Sequence, residues 1–288
     1  MNKQGIGRTF AFTMVLVLAF ALAYNFIFTG TLIPGDNEII VAFLDVGQGD
    51  SILIRSRDHA VLIDGGDVNR QEPVLTYLRQ VGVSRLDYVI ATHPHSDHIG
   101  GLIAVLNRVD VGYVLMPGVI HTTTAFENFI SVIEHNQIPT HAPVPGENFR
   151  AGIIDFTVLA PARGFAGSNL NDASIVVRLD HGDTSFLFTG DAEANNERAM
   201  LASGQDLRAD VIKIGHHGSR TSTTEAFLDE VQPVAAVISL GRGNRFGHPH
   251  SEVLERLAYR GISVYRTDEL GTVAMATDGE RIILLVEK

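Results

Sequence analysis

Short apolar runs alternate with amphipathic segments from residue 39 to the end of the chain. Three such runs, "IIVAFLDV", "SILIRS" and "AVLIDGG", are separated by glycine turns, a pattern typical of an antiparallel hairpin with a neighbouring strand. "QEPVLTYLRQVG" has apolar residues at three- and four-residue spacing and predicts a helix, and "LDYVIAT" after it predicts a strand. Strand and helix patterns then alternate to the C-terminus. Strands that are apolar throughout indicate sheets covered by helices, and therefore an α/β fold.

The N-terminal segment has a different pattern. Residues 10 to 28 carry no charge and follow Lys3 and Arg8, as in an export signal or a single membrane span. Residues 21 to 23 have the small-x-small form of a signal-peptidase site, but the apolar run continues to Ile33. About 20 apolar residues can cross a bilayer core of ~30 Å, so we expect an uncleaved helical membrane anchor, with a cleaved signal peptide as the alternative. The basic flank precedes the segment, which predicts that the following chain is extracytoplasmic.

A short polar linker follows this segment. Residues 34 to 38 include Pro34 and Gly35, and the sequence shows no second linker, repeat or low-complexity run after them. We therefore expect three parts: a signal anchor or signal peptide over residues 1 to 33, the linker, and one domain over residues 39 to 288.

Composition limits the chemistry. The sequence contains no cysteine, so the domain must be stabilised by burial, and any metal must be bound through nitrogen and oxygen. The formal net charge of −11 argues against a tight electrostatic binder of nucleic acid. It does not exclude an enzyme whose acidic residues hold metal ions that face phosphate.

The stretch "ATHPHSDHIGG" concentrates three histidines and an aspartate in six positions, directly after a predicted strand. His93 and His95 alternate with a proline, so at a strand end both imidazoles would point the same way. Asp97 and His98 come from the following turn. A site for two metal ions roughly 3.5 to 4 Å apart needs such converging ligands, one ion generating hydroxide and both stabilising the developing charge. The motif therefore predicts two ligands for each of two ions.

Further candidate ligands follow in order along the chain. "FTGD" ends a strand at Asp191, a position suited to a bridging carboxylate, and "KIGHHGS" ends another strand at His216 and His217. A histidine-rich solvent loop is the alternative interpretation of the first motif, and the downstream residues argue against it.

At these motifs the sequence resembles the metallo-β-lactamase superfamily, and more closely the hydrolase domain of ComEC-type DNA-uptake (competence) proteins. The segments "FLDVGQGDSILIR", "LIDGG", "THPHSDHIGGL", "FTGDAE", "VIKIGHHGS" and "NRFGHPH", with a final "LGTV", match that group in its order and extend over nearly all of residues 39 to 277. The resemblance implies a four-layer αββα fold with a dinuclear metal site at the edge of two sheets. It also implies DNA as substrate, because the domain is implicated there in degrading a DNA strand.

The resemblance further implies a ligand set. The first ion takes the H-x-H pair, the second takes the following Asp and His, and a strand-end aspartate bridges them. These residues are His93, His95, Asp97, His98 and Asp191. One of His216 and His217 completes the shell of the second ion, and the sequence does not decide between them. Asp97 is the expected catalytic residue, as the group that orients or deprotonates the attacking water.

One departure from the superfamily pattern concerns the first ion. Many relatives supply a third histidine from the region before the strand "SIVVRL", where this chain has "SNLNDAS". Asn169, Asn171 or Asp172 is the expected replacement. A site short of imidazole favours a harder ion, so manganese is a candidate beside zinc.

Two glycine-rich loops carry candidate substrate contacts. In "GQGD", Gln48 and Asp50 are expected to position substrate, with a plain hairpin turn as the alternative. In "GRGNRFGHPH", Asn244 and His248 are expected to face a phosphodiester, with a packed turn as the alternative. Asp64 in "IDGG" either holds its own turn or supports the metal ligands from behind.

These features together predict an extracytoplasmic metal-dependent hydrolase of phosphodiesters, a ComEC-like DNA nuclease. One alternative is a hydrolase of phosphorylated envelope material or of small-molecule esters. Another is a non-catalytic docking module of the same fold. Hydrolysis of a lactam or lactone is disfavoured, because those relatives usually keep the histidine that is absent here.

Overall fold

The computed structural model describes residues 33–165 and 167–286. The predicted N-terminal hydrophobic helix, with its choice between anchor and cleaved signal, lies outside the described residues. Among the residues that are described, no helix is both long and apolar enough to span a bilayer.

The described chain forms strands grouped in two sheets. In chain order they are β1 (Ile39–Phe43), β2 (Ile52–Arg55), β3 (Ala60–Ile63), β4 (Arg85–Ile90), β5 (Asp110–Leu115), β6 (Thr140–His141), β7 (Asn148–Ala151), β8 (Ile154–Ala160), β9 (Val176–His181), β10 (Thr184–Phe188), β11 (Val211–Lys213), β12 (Ala235–Ile238), β13 (Ser263–Arg266), β14 (Val273–Thr277) and β15 (Ile282–Val286).

Helices cover both sheets. They are α1 (Gln71–Gln80), α2 (Ser96–Ile99), α3 (Leu102–Arg108), α4 (Thr124–His135), α5 (Ala194–Ser203), α6 (Glu225–Val231), α7 (Ser251–Tyr259) and α8 (Thr267–Leu270). Short 3-10 turns are formed by Val68–Arg70, Leu170–Ala173 and Gly215–Gly218.

Both sheets are mixed. The first has the order β15-β14-β1-β2-β3-β4-β5-β6 and the second β13-β12-β11-β10-β9-β8-β7. In the first sheet the strands from β3 to β6 run parallel and the others antiparallel, and in the second the strands from β10 to β13 run parallel. The parallel strands are connected through helices, as their direction requires.

The apolar residues form a four-layer arrangement. Along β1, Val41 and Phe43 pack between the sheets, whereas Ala42 between them packs on the helix side of the first sheet, as the two-residue period of a strand requires. α1, α3 and α4 cover that outer face, and α5, α6 and α7 cover the outer face of the second sheet. This confirms the predicted α/β fold of two sheets between helices.

The topology brings distant motifs to one edge. Parallel strands all end at the same side of a sheet, so the loops that follow β3 and β4 lie together, and so do those that follow β10, β11 and β12. Asp64 follows β3 and the histidine-rich segment follows β4. Asp191 follows β10, and His216 and His217 follow β11.

Candidate metal centre

The histidine-rich segment turns sharply after β4, and α2 begins within it. The side chains of His93 and His98 are buried, and their rings lie 4.1 Å apart. His93 Nε2 also lies 2.9 Å from His95 Nδ1, and the two rings of the H-x-H pair are nearly perpendicular, at 82°. Asp97 and His95 are partly exposed, and 29% of the side chain of Asp97 is accessible.

Asp191 lies in the middle of four imidazoles. Its Oδ2 is 3.3 Å from His98 Nε2 and 3.5 Å from His217 Nε2. The same oxygen is 3.9 Å from Nε2 of both His93 and His216. A single carboxylate therefore contacts donors that the sequence supplies from β4 and β11, which is the geometry expected of a bridging group.

The donor atoms of this cluster fit cations. Asp191 Oδ1, His98 Nε2 and His217 Nε2 are buried and have no hydrogen-bond partner among the described residues. Buried polar atoms without a partner are costly, and their convergence fits the coordination of a cation. Ligand atoms of His93, His98 and Asp191 lie within 4.8 Å of one another, and so do those of Asp97, His98 and His217. Nitrogen and carboxylate donors in this number suit zinc or manganese.

Asp64 supports the cluster from behind. Its Oδ2 lies 2.8 Å from His98 Nδ1, and it accepts hydrogen bonds from the backbone N–H and the hydroxyl of Thr92 at 2.8 Å and 2.7 Å. Of the two alternatives that the sequence left for Asp64, this contact favours support of the candidate ligands. It fixes His98 with Nε2 directed at Asp191 and Asp97.

The second supporting group is a buried ion pair. Lys213 is fully buried at the end of β11, and its ammonium donates to Asp50 and, at 2.8 Å, to the carbonyl oxygen of Gly190. Asp50 Oδ1 lies 3.5 Å from His217 Nδ1. Burial raises the pKa of Asp50, but Lys213, His217 and His98 together outweigh it and the pKa is lowered.

This placement corrects the expectation that Asp50 touches substrate. The carboxylate is 1% exposed and lies beneath the imidazoles, because the tight turn after β1 directs it inward. Gly49 permits that turn: its φ is +129°, and a Cβ there would lie 2.2 Å from the carbonyl oxygen of Asp97. Gln48, in contrast, is partly exposed, and its Oε1 accepts from the backbone N–H of Gly241 at 3.3 Å.

The structure distinguishes His216 from His217. Both have left-handed backbone conformations, with φ of 47° and 53°, which are costly for residues other than glycine and cluster at functional sites. His217 is buried, its Nδ1 donates to the carbonyl oxygen of Ser239, and its Nε2 is 3.4 Å from Asp97. His216 is a quarter exposed, and its Nδ1 is bonded to Glu193 at 2.8 Å. His217 is therefore the one placed among the candidate ligands.

Glu193 has its own set of donors. Burial raises the pKa of this carboxyl, but hydrogen bonds from His216, Thr221, Asn169 and Asn171 outweigh it and lower the pKa to about 2. The carboxylate is thus ionised at neutral pH and holds the ring of His216 in place.

The expected replacements for the third histidine have other partners. Asp172 accepts from the backbone N–H groups of Glu193 and Asn196, at the start of α5, and from the amides of Asn169 and Asn195. Its oxygens cap a helix, so Asp172 does not lie in the cluster. Asn171 donates to Glu193 at 3.2 Å, and its side-chain oxygen is buried with no partner among the described residues. Of the three candidates, Asn171 therefore keeps a side-chain oxygen that is available to a metal ion.

The loop after β12 corrects a further expectation. The amide of Asn244 donates to the carbonyl oxygens of Gly241 and His248 and accepts from the backbone N–H of Phe246 and of His248. Asn244 is therefore the centre of a packed turn, the alternative that the sequence left open. His248 does face the cluster, with its ring 5.5 Å from that of His216. Burial and the charges of His216 and His217 lower its pKa to about 4, so the imidazole is neutral at pH 7.

Two functional candidates were missed from the sequence. Lys213 stands alone in the apolar run "ADVIKIG", and a lysine buried in a strand is rare enough to be a usable signal. Arg70 is on the segment that follows β3, and its guanidinium lies close to Gly47, which follows β1. The sequence around Arg70 has no pattern that would have indicated a functional role.

Comparison with known proteins supports one family. Residues 44–242 match the family model of the Metallo-beta-lactamase superfamily. ComE operon protein 3 of Bacillus subtilis is 31% identical over 81% of this chain and 32% of that protein, and Competence protein ComA of Neisseria gonorrhoeae is 32% identical over 83% and 32%. The chain thus spans about a third of the length of these relatives.

A solved structure shares the fold. CmlA, a diiron beta-hydroxylase from Streptomyces venezuelae, superposes with a TM-score of 0.56 at 16% identity, over 88% of this chain and 55% of that one. The described helices, sheets and His/Asp clusters agree with this fold, whose members typically depend on two metal ions. The chain therefore belongs to the metallo-β-lactamase superfamily of metal-dependent hydrolases and is related to competence proteins of the ComEC type.

Proposed function

We propose that this protein is an extracytoplasmic metal-dependent phosphodiesterase that hydrolyses DNA. The observation that carries the proposal is the convergence of buried, unpartnered nitrogen and oxygen atoms around Asp191 at the shared edge of the two sheets. The relatives named as competence proteins support DNA as the substrate. When bound, two divalent ions supply positive charge that activates water and stabilises negative charge on a phosphodiester.

The described residues divide into two ligand groups under this proposal, with Asp191 shared. The group for the first ion is His93, His95 and Asp191, and the group for the second is Asp97, His98, His217 and Asp191. Asn171 is proposed to add its free oxygen to the first group. Zinc and manganese are the candidate ions.

Asp97 is the proposed catalytic residue. Its carboxylate is partly exposed on the solvent side of the cluster, and its Oδ2 lies 3.4 Å from His217 Nε2. Burial raises the pKa of Asp97, but His98 and His217 outweigh it and hold the pKa well below its usual range. An ionised carboxylate at this place accepts a hydrogen bond from the attacking water and orients it towards phosphorus.

The location of the protein is proposed from its N-terminal sequence. Residues 1 to 33 act as a membrane anchor or signal, residues 34 to 38 as a linker, and residues 39 to 288 as the hydrolase domain outside the cytoplasm.

The test is hydrolysis by the full chain, purified in detergent, stripped of metal and resupplied with manganese or zinc. Single-stranded DNA, duplex DNA and methyl p-nitrophenyl phosphate are offered in parallel, with Asp97→Asn as the comparison. We expect metal-dependent DNA cleavage that falls by at least ~100-fold in the variant. Cleavage of the small diester alone would assign the enzyme to envelope or small-molecule substrates. No hydrolysis with either metal would support a docking module and overturn the proposal.

A further inference from the structure

A groove extends from the candidate metal centre along the surface. Its first part is a cavity of about 430 Å³ that includes Asp97 in its wall. Its second part is a cavity of about 1000 Å³ that reaches the loop between α8 and β14. Gln48, Arg70 and Asn244 line both parts, so the two cavities are adjacent.

Two arginines face the part of the groove nearest the cluster. Arg70 and Arg245 are both exposed and line the same cavity as Asp97. Within residues 33–165 and 167–286, neither guanidinium forms an ion pair with a carboxylate. Arg266, near the far end of the groove, is in contrast neutralised by Asp268 and Glu269. Arg70 and Arg245 thus place two cationic groups without a carboxylate partner in the wall that also holds Asp97 and Asp67. Arg242, in the second part, donates to the carbonyl oxygen of Asp268.

An aromatic ring lies between Arg245 and His248. Phe246 is 48% exposed, and its ring stacks on that of His248 with 5.7 Å between centroids and 25° between planes. The guanidinium carbon of Arg245 lies 5.0 Å from the centre of the same ring. The Asn244 amide accepts from the backbone N–H groups of Phe246 and His248 and so restrains the backbone of the loop that carries the ring.

We propose that this groove binds a single strand of nucleic acid, with a base taking the place of the Arg245 guanidinium over the ring of Phe246 and the adjoining phosphates bound by Arg245 and Arg70. The inference rests on the proposed phosphodiesterase function and adds its substrate form. Stacking on an aromatic side chain requires a base that is not already stacked in a duplex, and such stacking is tolerant of sequence. Phe246 and Arg245 are thereby specificity-determining residues, which a small phosphodiester does not need.

The overall charge of the protein sets the expected salt dependence. With a net charge of −11, attraction to DNA must come from local cations. Two phosphates neutralised on a single strand predict a slope of about −1.4 in a plot of log binding constant against log salt concentration.

The experiment compares Phe246→Ala and Arg70→Ala with matched controls. Tyr259→Ala removes another exposed aromatic ring that has an arginine beside it, and Arg208→Ala removes another exposed arginine. Tyr259 lies before β13 and Arg208 before β11, at the opposite ends of these parallel strands from the cluster. Binding of fluorescent single-stranded and duplex DNA by the metal-loaded full chain is measured in an Asp97→Asn background, and kcat/KM in the active protein.

We expect Phe246→Ala and Arg70→Ala each to weaken single-strand binding and kcat/KM by about tenfold, since base stacking and phosphate contacts have this order of effect. Hydrolysis of methyl p-nitrophenyl phosphate by Phe246→Ala and Arg70→Ala should stay within twofold of the unaltered protein. In the two control variants, DNA binding, kcat/KM for DNA and hydrolysis of the small diester should all stay within twofold. Unchanged DNA binding and cleavage in Phe246→Ala overturns the groove while leaving the phosphodiesterase intact. Weaker DNA binding in that variant, together with no hydrolysis of any diester, supports the groove and refutes the catalytic function. Tighter binding of duplex than of single strand would also refute the inference.

Discussion

The carboxylate of Asp64 lies 2.8 Å from Nδ1 of His98, and both side chains are fully buried. His98 Nε2 lies 3.3 Å from the shared carboxylate of Asp191 and 4.0 Å from Asp97, so the orientation of its ring affects the proposed second ion and the bridging group. Asp64 sets that orientation from the loop after β3, while Thr92 fixes the carboxylate itself.

Substitution of Asp64 by Asn should therefore weaken metal binding. Asn tolerates the left-handed backbone of this position, where φ is 56°, but it cannot accept from Thr92 and His98 as a carboxylate does. We expect metal affinity to fall by about 10- to 100-fold, measured by calorimetry or competition with a chelator.

Asp210→Asn is the matched control for this variant. Asp210 accepts from the backbone N–H and hydroxyl of Ser185 at 2.8 Å and 2.9 Å, as Asp64 does from Thr92, but it belongs to none of the His/Asp groups. The metal affinity of the Asp210→Asn variant should be unchanged. An equal loss in both variants would show that Asp64 acts only on the fold.

The two neighbouring histidines should behave differently. His217→Ala removes a buried Nε2 that lies near both Asp97 and Asp191, so the variant should bind about one metal equivalent less. His216→Ala should keep the metal content of the unaltered protein, since its ring is bonded to Glu193. Metal analysis after gel filtration measures the metal content of both variants. Loss of metal from the His216 variant alone would reverse the assignment.

Removal of the buried ammonium should be strongly destabilising. Lys213→Met leaves Asp50 charged in the interior, which costs about 3–5 kcal/mol of unfolding free energy when one partner of a buried pair is removed. The double variant Lys213→Met/Asp50→Asn removes both charges and should be less destabilised than Lys213→Met. Denaturant unfolding measures the difference.

An exposed ion pair provides the comparison for Lys213. Arg57 pairs with Asp36 on the surface, and Arg57→Met should cost less than about 1 kcal/mol. If Lys213→Met cost no more than this, the buried pair would not be needed for the fold.

The pH dependence of the chelator-treated protein follows from His217. Burial lowers the pKa of this imidazole, but Asp191 and Asp50 outweigh it and raise the pKa to about 10. Since the unfolded value is about 6.5, the stabilisation is fully present below that pH and is lost as pH rises towards 10. The free energy of unfolding should therefore fall between pH 7 and 10, and fall less in His217→Gln.

Metal affinity should change in the opposite direction over this range. The ion must displace the protons held by His98 and His217, so its binding strengthens as pH rises. Calorimetry in buffers of different ionisation enthalpy measures the protons released. Binding without proton release would contradict the charged state assigned to these rings.

Gly49 offers a steric test of the loop that carries Asp50. Gly49→Ala places a Cβ 2.2 Å from the carbonyl oxygen of Asp97, so the backbone of Asp97 must shift and activity should fall by at least ~10-fold. Gly82→Ala is the control, because its φ is also positive but nothing lies within 4 Å of the added atom. Both variants place an alanine at positive φ, +129° at Gly49 and +75° at Gly82, so equal activities would exclude a role for the close contact.

Much of the site could be predicted from local sequence. The H-x-H-x-D-H segment lies within six residues, so its meaning depends on spacing that the sequence displays directly. Asp191 was recognisable because an acidic residue ends an apolar strand. The fold class followed in the same way, from apolar runs whose period distinguishes strand from helix.

Other assignments depended on contacts between residues far apart in sequence. The sequence left His216 and His217 equivalent, and the contacts with Glu193, Asp97 and Ser239 distinguish them. Asp50 was expected at the substrate because its turn is near the metals, yet Lys213, 163 positions later, draws it inward. Asn244 was expected there too, but its amide is used by its own loop.

The sequence by itself determined the strands and helices, the types of donor atom and the family, because these depend on residue type and short spacing. Only the tertiary structure decided which side chain faces which. The parallel ends of β3, β4, β10 and β11 bring together residues from 64 to 217, and burial there gives each polar atom either a partner or a place facing the centre. That choice depends on distances through space, which no local pattern encodes.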